Sequence, residues 1–304
     1  MKTGFTKMLL LILSLMLLFV LAGCTKDDSP EKDREENDRH VSDILNQDKD
    51  PEDSTEPEES TEPEPVYEKQ TVYLCVQERM HNYNEDGDFL KGYTYDEYGR
   101  VTEYFQIKDD GSRGWVNAYS YDENGNNTEI STGNGLYTMT YDDEGRMLSQ
   151  VYAYKGEVRS ETYYTYDENG YVVAEKCIER YSEEVTYTYE INYNDDYSEA
   201  IISQYKNGEP NGTTYETYNA AGQVLTSEVY DTADNWKSGQ TYSYDDAGNL
   251  LQQGNYSSSE TQADYTTYYT YDEKGLLISK DVDYYYGYLL EYTYEPFEIL
   301  VRVN

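Results

Sequence analysis

Carboxylates are the side chains in this sequence that could act as acids, bases or metal ligands and that also recur at a regular spacing. Six aspartates occupy the same place in a repeated phrase, Y-x-Y-D-x-x-G, or in a close variant of it. They are Asp96, Asp122, Asp142, Asp167, Asp245 and Asp272. An aspartate at the first position of a type I turn accepts a hydrogen bond from the backbone two residues on. We therefore predict that these aspartates support turns and are not catalytic.

Histidine chemistry is sparse. His40 and His81 are the only two histidines, so a catalytic triad or a histidine metal site would have to be built from His81 alone. The sequence contains no G-x-S-x-G phrase, glycine-rich phosphate loop or Cys-x-x-Cys pair. We predict no catalytic residue, no cofactor, no metal site and no enzymatic activity. The abundant carboxylates leave a carboxylate-dependent glycan hydrolase as the enzymatic alternative.

Aromatic side chains offer a binding chemistry instead. Tyrosine accounts for 39 residues and presents a large apolar ring with a polar tip, which suits contact with sugars or peptides. The candidates for ligand binding lie where the repeats are least regular. They are Trp115, Trp236, Tyr284, Tyr285, Tyr286 and Tyr288. The alternative is that tyrosine covers a thin, half-solvated sheet and binds nothing.

The elements that must position these residues are β-hairpins. Tyrosine and threonine alternate before each turn, as in 163–166 and 268–271, and such alternation is typical of strands. The Asp-x-x-Gly segment that follows predicts a type I turn closed by a glycine bulge. In that register the turn tyrosine, for example Tyr244, pairs with the second residue after the glycine, here Leu250. The unit at Tyr193 has Tyr197 where glycine belongs, so its turn should differ.

The repeats predict an all-β fold. The turn tyrosine recurs about every 25 residues, which is typical of stacked supersecondary units. We expect tandem hairpins that form one continuous twisted or spiralling antiparallel sheet. A β-propeller with two hairpins per blade is the alternative.

The N-terminus carries a targeting signal. Lys2 and Lys7 precede an apolar run over 8–21 that is too short for a comfortable membrane span and fits a signal-peptide core. The run ends in Leu-Ala-Gly-Cys, which resembles the lipobox of bacterial lipoproteins. The resemblance implies that residues 1–23 are a lipoprotein signal peptide and that Cys24 is lipidated, which would anchor the chain to a bacterial membrane. An ordinary secretory signal that contains a cysteine is the alternative.

A compositional shift divides the rest of the chain. Residues 24–67 are rich in Asp, Glu, Ser, Thr and Pro and have few aliphatic side chains, so we predict a disordered acidic tether. Residues 68–304 form the repeat domain. The whole chain carries a net charge of −38 and has no basic stripe, which argues against a nucleic-acid partner.

The repeated phrase, followed in most copies by an apolar residue, resembles the YD repeats of bacterial Rhs and teneurin-type proteins over about residues 80–295. The resemblance implies hairpins added side by side into a long spiralling sheet. Full-length Rhs proteins wrap such a sheet around a toxic C-terminal domain, and this chain has too few repeats for that shell. It looks more like the short YD-repeat lipoproteins of bacterial envelopes.

These features together predict a role at the cell surface. We expect an extracytoplasmic, lipid-anchored protein whose tyrosine-rich domain is a binding or adhesion module for a glycan or a protein. A structural or spacer protein of the envelope without a specific ligand is the alternative.

Overall fold

The structure is a computed structural model that describes residues 66–82, 88–257, 263–284 and 287–303. The predicted signal peptide 1–23, the lipidation site Cys24, and Tyr285 and Tyr286 lie outside the described residues. The predicted tether 24–67 lies outside them as far as residue 65.

Eighteen strands make up the described chain, and the described ranges contain no helix. The first nine are β1 (Val66–Asn82), β2 (Asp88–Tyr95), β3 (Val101–Ile107), β4 (Arg113–Tyr121), β5 (Asn127–Thr132), β6 (Gly135–Tyr141), β7 (Met147–Tyr154), β8 (Glu157–Tyr166) and β9 (Val172–Arg180). The others are β10 (Glu184–Tyr193), β11 (Glu199–Lys206), β12 (Glu209–Tyr218), β13 (Val224–Tyr230), β14 (Trp236–Tyr244), β15 (Leu250–Tyr256), β16 (Tyr265–Tyr271), β17 (Leu277–Asp283) and β18 (Tyr288–Val303). Accordingly, no helix in these ranges is long and apolar enough to cross a membrane.

The repeated phrase makes the turns as predicted. Asp245 Oδ1 accepts hydrogen bonds from the backbone N–H groups of Ala247 at 2.9 Å and Asn249 at 2.8 Å. Gly248 has φ of 87°, a conformation that glycine adopts without steric cost. Tyr244 pairs with Leu250, which confirms the predicted register. The same pairing recurs at Tyr95–Val101, Tyr121–Asn127, Tyr141–Met147, Tyr166–Val172, Tyr218–Val224 and Tyr271–Leu277.

The turn after β10 is irregular, as the sequence predicts. Tyr197 occupies the left-handed position with φ of 56°. This turn is one residue longer than the regular ones. The N–H of Asn194 donates to the carbonyl of Glu199, five residues on, whereas in the regular turns the aspartate N–H donates to the carbonyl four residues on.

Turn tyrosines also tie most hairpins to the one before, although the hydroxyl of Tyr218 donates to Glu216 on its own strand instead. The Tyr244 hydroxyl donates to the carbonyl of Val224 at 2.9 Å, and a hydrogen bond of this kind contributes about 1 kcal/mol. Equivalent bonds join Tyr95 to Cys75, Tyr121 to Val101, Tyr141 to Asn127, Tyr166 to Met147, Tyr271 to Leu250 and Tyr294 to Leu277. At the irregular turn this tie is missing, and the buried Tyr193 hydroxyl has no partner in the described chain.

The sheet closes into a barrel, which corrects the predicted architecture. Each strand pairs antiparallel with its sequence neighbours, and β1 pairs both with β2 and, over Val66–Asn82, with β18. The open spiralling sheet and the β-propeller are therefore both wrong. The repeated phrase encodes only pairings between neighbours, and it carries no information about the pairing of β1 with β18. Closure removes the two open edges that an 18-stranded sheet would expose.

The barrel has two different ends, because consecutive turns of an antiparallel barrel alternate between them. The Asp-x-x-Gly turns lie at one end, here called the motif end. The other turns, among them 108–112, 155–156 and 231–235, lie at the return end. Residues 66–75 of β1 pair only with β18 and form a two-stranded ribbon beside the motif end. In this ribbon the N–H of Leu300 donates to the carbonyl of Glu97 in a motif turn at 2.7 Å.

Burial distinguishes the inside of the barrel from the outside. Along β14 the side chains of Gln240, Tyr242 and Tyr244 are half-buried, whereas Thr241 and Ser243 between them are exposed. An outward side chain of a barrel stays in contact with solvent, so the buried face is the inner one. The largest buried cluster lies on this face and consists of Val172, Tyr189, Ile191, Ala200, Ile202, Tyr218 and Val224.

Candidate functional site

Trp115 is the most exposed tryptophan and lies at the return end, near the start of β4. It is 41% exposed although two other rings support it. Phe89 stacks with it at a centroid distance of 6.4 Å and 21° between planes, and Tyr104 meets it edge-on at 5.3 Å. Trp115 therefore forms a fixed aromatic platform, and this name is used below for Trp115, Phe89 and Tyr104.

A shallow depression adjoins the platform. It is lined by Asp88, Phe89, Leu90, Gln106, Ile107, Lys108, Asp109 and Asp110. Carboxylate, amide and ammonium groups thus lie beside the Phe89 ring of the platform. Sugar rings bind to such surfaces by packing their C–H faces on the aromatic ring while their hydroxyls bond to the polar groups.

A charged cluster lies on the inner wall next to the platform. Glu78 is buried, and Lys91 Nζ donates to its Oε1 at 2.6 Å. The hydroxyls of Tyr93 and Tyr104 donate to the same carboxylate at 3.3 and 3.5 Å. Lys91 Nζ also lies 5.3 Å from the centroid of the Tyr104 ring. Tyr104 is thus shared by the cluster and the platform, and the two form one continuous surface.

Lys280 and Tyr288 approach the cluster from the other side of the seam where β18 meets β1. Lys280 pairs with Leu290, a buried residue of β18, which puts its side chain on the inner face. The charge of Glu78 acts on both Lys280 and Tyr288. In the described ranges no carboxylate pairs with Lys280, and the ring of Tyr269 lies 5.7 Å from its ammonium group.

Lys91 and Lys280, the two lysines on this part of the inner face, differ in electrostatic environment. Burial by itself lowers the pKa of Lys91, but its hydrogen bonds to Glu78 and Tyr104 and the charge of Glu78 outweigh burial and raise the pKa above its ordinary value. Lys280 lacks such a partner, so burial lowers its pKa. Lys91 is therefore a fixed cation, whereas Lys280 is a cation that would gain from a negatively charged neighbour.

A second charged group closes the seam on the outer face. His81 on β1 hydrogen-bonds through Nδ1 to Asp88 on β2 and through Nε2 to Glu291 on β18, both at 2.7 Å. The hydrogen bond to Glu291 and the interactions with Asp88 raise the pKa of His81. This histidine therefore links three strands.

Four of the predicted ligand-binding residues lie in the described ranges, and they border return turns but do not form one site. Trp115 and Tyr288 flank the charged cluster. Tyr284 is 51% exposed and packs against Tyr265 at 5.4 Å. Trp236 is half-buried on β14, across the ring from β4, where it lies against Gly239.

Glu78, Lys91 and Lys280 were missed by the sequence analysis. A signal existed for Lys91, because it is in phase with Tyr93 and Tyr95 and must share their face of the strand. No local signal connects these residues to Lys280, since only closure of β1 onto β18 brings β2 and β17 together.

The fold and the site together define a closed antiparallel barrel that carries the aromatic platform and the charged cluster at its return end. No family model matches the chain, and no curated protein matches it. Among solved structures, it is similar to a porin-like protein from Bacteroides uniformis, with 12% identity, a TM-score of 0.41, and coverage of 73% of this chain and 96% of that one. It is also similar to TcdB2-TccC3-TEV, with 15% identity, a TM-score of 0.21, and coverage of 69% of this chain but only 15% of that one.

Proposed function

We propose that this chain is a lipid-anchored bacterial envelope protein that binds a glycan at the return end of its barrel. The observation that carries the proposal is the aromatic platform. Phe89 and Tyr104 hold the large indole ring of Trp115 open to solvent near a polar depression. This arrangement is better explained by binding of a sugar ring than by a purely structural role.

The position of the anchor supports this assignment. β1 begins at Val66 in the ribbon beside the motif end, and the segment that precedes it leads back to Cys24. With Cys24 lipidated, the chain is attached to the barrel from the motif end, so the return end is the end farther from the point of attachment. The platform then lies on the side opposite the attachment, which suits a surface-exposed, extracytoplasmic receptor.

The repeats supply the scaffold in this proposal. We assign them to the YD type on the repeated phrase and on the turns that it makes. The residues that the repeats share form the turns and the hydrogen bonds between hairpins. We therefore assign the binding role to the return end, where the sequences of the repeats differ.

Replacement of Trp115 by alanine tests the proposal. Full-length protein in detergent should bind a subset of glycans on an array, and Trp115→Ala should weaken that binding at least tenfold, equivalent to about 1.4 kcal/mol. Tyr163→Ala is the matched control, because Tyr163 is also 41% exposed but lies on β8, away from the platform.

Three outcomes would contradict the proposal. A blank array together with no cross-linked protein partner favours the spacer role. Capture of a protein that Trp115→Ala abolishes makes the ligand a protein. Turnover of a polysaccharide makes the chain an enzyme.

A further inference from the structure

We infer that the glycan is acidic and that Lys280, inside the return end, receives its carboxylate. This inference rests on the proposed function, because it assumes that the aromatic platform holds a sugar. It adds the chemical class of that sugar and the residue that selects it.

The charge balance of the inner wall supports the inference. Glu78 is the buried carboxylate here, and Lys91 at 2.6 Å neutralises it. The hydroxyls of Tyr93 and Tyr104 add further donors to that same carboxylate. Lys280 is therefore a surplus cation, and a half-buried cation without a counter-ion loses part of its hydration without compensation. An anionic group beside it would remove that cost.

The wall also offers hydrogen-bond donors at the right place. Tyr292 pairs with Glu78 across the seam, and Tyr288 lies on the same face of β18, two positions closer to the return end and beyond Leu290. Neither hydroxyl makes a hydrogen bond to another described residue. A carboxylate accepts up to about four hydrogen bonds, so an ammonium and two phenols can satisfy one.

A continuous path joins the platform to this wall. Trp115 contacts Tyr104 at 5.3 Å, Tyr104 lies 5.3 Å from Lys91 Nζ, and Lys91 bonds to Glu78 at 2.6 Å. On the same face, Phe89 of the platform pairs with Met80, Met80 with Leu290, and Leu290 with Lys280, so one row of paired residues joins the platform to Lys280. Strands β3, β2, β1 and β18 lie between β4 and β17, so a ligand with one ring on Trp115 must extend over several rings to place a carboxylate at Lys280.

The net charge of −38 sharpens the expected selectivity. Such a chain repels free anions at long range. Only an anion that is also held by contact with the platform should reach Lys280, so a sugar acid should bind and inorganic phosphate should not.

Calorimetry with matched trisaccharides tests the inference on the full-length protein in detergent. The probes are trigalacturonate and its methyl ester, which have the same sugar rings and differ only at the carboxyl groups, charged in the first and neutral in the second. We expect trigalacturonate to bind at least tenfold more tightly, and Lys280→Gln to remove that preference while leaving the affinity for the ester unchanged. Lys176→Gln is the control, since Lys176 is an exposed lysine elsewhere, on β9.

A second measurement does not depend on a substitution. Trigalacturonate should raise the pKa of Lys280, followed by NMR of the lysine side chains, and the ester should leave it unchanged. A pKa that does not move contradicts the inference.

The remaining outcomes separate the inference from the proposed function. Equal binding of acid and ester, with both lost in Trp115→Ala, overturns the acidic ligand and leaves the glycan-binding function intact. Equal losses in Lys176→Gln and Lys280→Gln show a general charge effect and also overturn it. Tighter binding of a sulfated trisaccharide than of trigalacturonate overturns the assignment of a carboxylate as the anionic group of the ligand. Absence of binding to any glycan on the array overturns the proposed function itself.

Discussion

At the scale of single residues, Glu175 has the most unusual environment. It lies on the inner face of β9, is 6% exposed, and pairs across the strands with Tyr164 and Tyr189. Within the described part of the chain no donor is hydrogen-bonded to it. Burial therefore raises its pKa from 4.5 to about 7. Near neutral pH this carboxyl group is close to its own midpoint.

The raised pKa makes stability depend on pH. Between pH 4.5 and about 7 the folded state binds more protons at Glu175 than the unfolded state does, so the free energy of unfolding falls as the pH rises. The contribution is fully present below pH 4.5 and lost above about 7, and its upper limit is about 3 kcal/mol.

Glu175→Gln should therefore stabilise the barrel at pH 8 by about 1–3 kcal/mol and have little effect at pH 4, because glutamine stays uncharged at both. Urea unfolding at the two pH values measures the difference. Glu129→Gln, an exposed glutamate on β5, should show no such pH dependence. A gain of equal size at both pH values for Glu175→Gln would mean that ionisation is not the cause.

At the scale of elements, the hairpin is defined almost completely by its own sequence. The turn aspartates, the positive φ of the glycines and the tyrosine pairing all follow from the phrase Y-x-Y-D-x-x-G, and all are confirmed, as at Asp245, Gly248 and Tyr244. These features are local, so a few residues determine them. The departure at Tyr197 is equally local and is equally visible in the sequence.

Gly248 allows this conformational requirement to be separated from packing. Gly248→Ala should destabilise the protein by about 1–2 kcal/mol, because alanine is strained at φ of 87°. Gly248→Asn should cost less, since asparagine enters the left-handed region more readily. Urea midpoints distinguish the two causes. If the larger asparagine costs more than alanine, steric contact with Gln223, whose Nε2 would lie 3.4 Å from the new Cβ, decides instead.

The candidate site is a less local property, and it was only partly predictable. Trp115 and Tyr288 stand out as aromatic residues beside irregular return turns, and both border the charged wall. Trp236 has the same sequence character, yet it covers Gly239 on another part of the barrel. Lys280 meets the field of Glu78 only through pairing between the first and last strands, and no repeat records that pairing.

At the scale of the whole molecule, closure is the property that the sequence conceals. A short array of hairpins can form either an open sheet or a closed barrel, and the repeated phrase is compatible with both architectures. The difference lies in β1 and β18, which are much longer than the strands between them and pair along their full length. Length in the two terminal strands is a weak but readable sign of closure.

A cross-seam disulfide tests closure directly. Thr71 and Glu298 are direct partners on β1 and β18. Thr71→Cys with Glu298→Cys, in a background with the free Cys75 and Cys177 changed to serine, should form a bond on mild oxidation. The bond closes almost the whole domain into one loop, so it should raise the free energy of unfolding by about 4–5 kcal/mol.

The matched control for that disulfide places the second cysteine at Glu199 on β11, far from β1 in the ring. Thr71→Cys with Glu199→Cys should remain reduced. A sheet that stays open predicts that neither pair forms, and mass spectrometry after thiol labelling distinguishes the results.

The ribbon of β1 and β18 has a mechanical consequence. In the proposed arrangement, where a lipid-anchored tether pulls at Val66 and a ligand holds the return end, the force would run along the axis of β1. The backbone hydrogen bonds that join β1 to its neighbours lie across that axis, so many of them are sheared together and none is opened first. In the proposed anchored arrangement, a barrel attached through the end of such a strand should resist detachment under flow, because many hydrogen bonds must break at once.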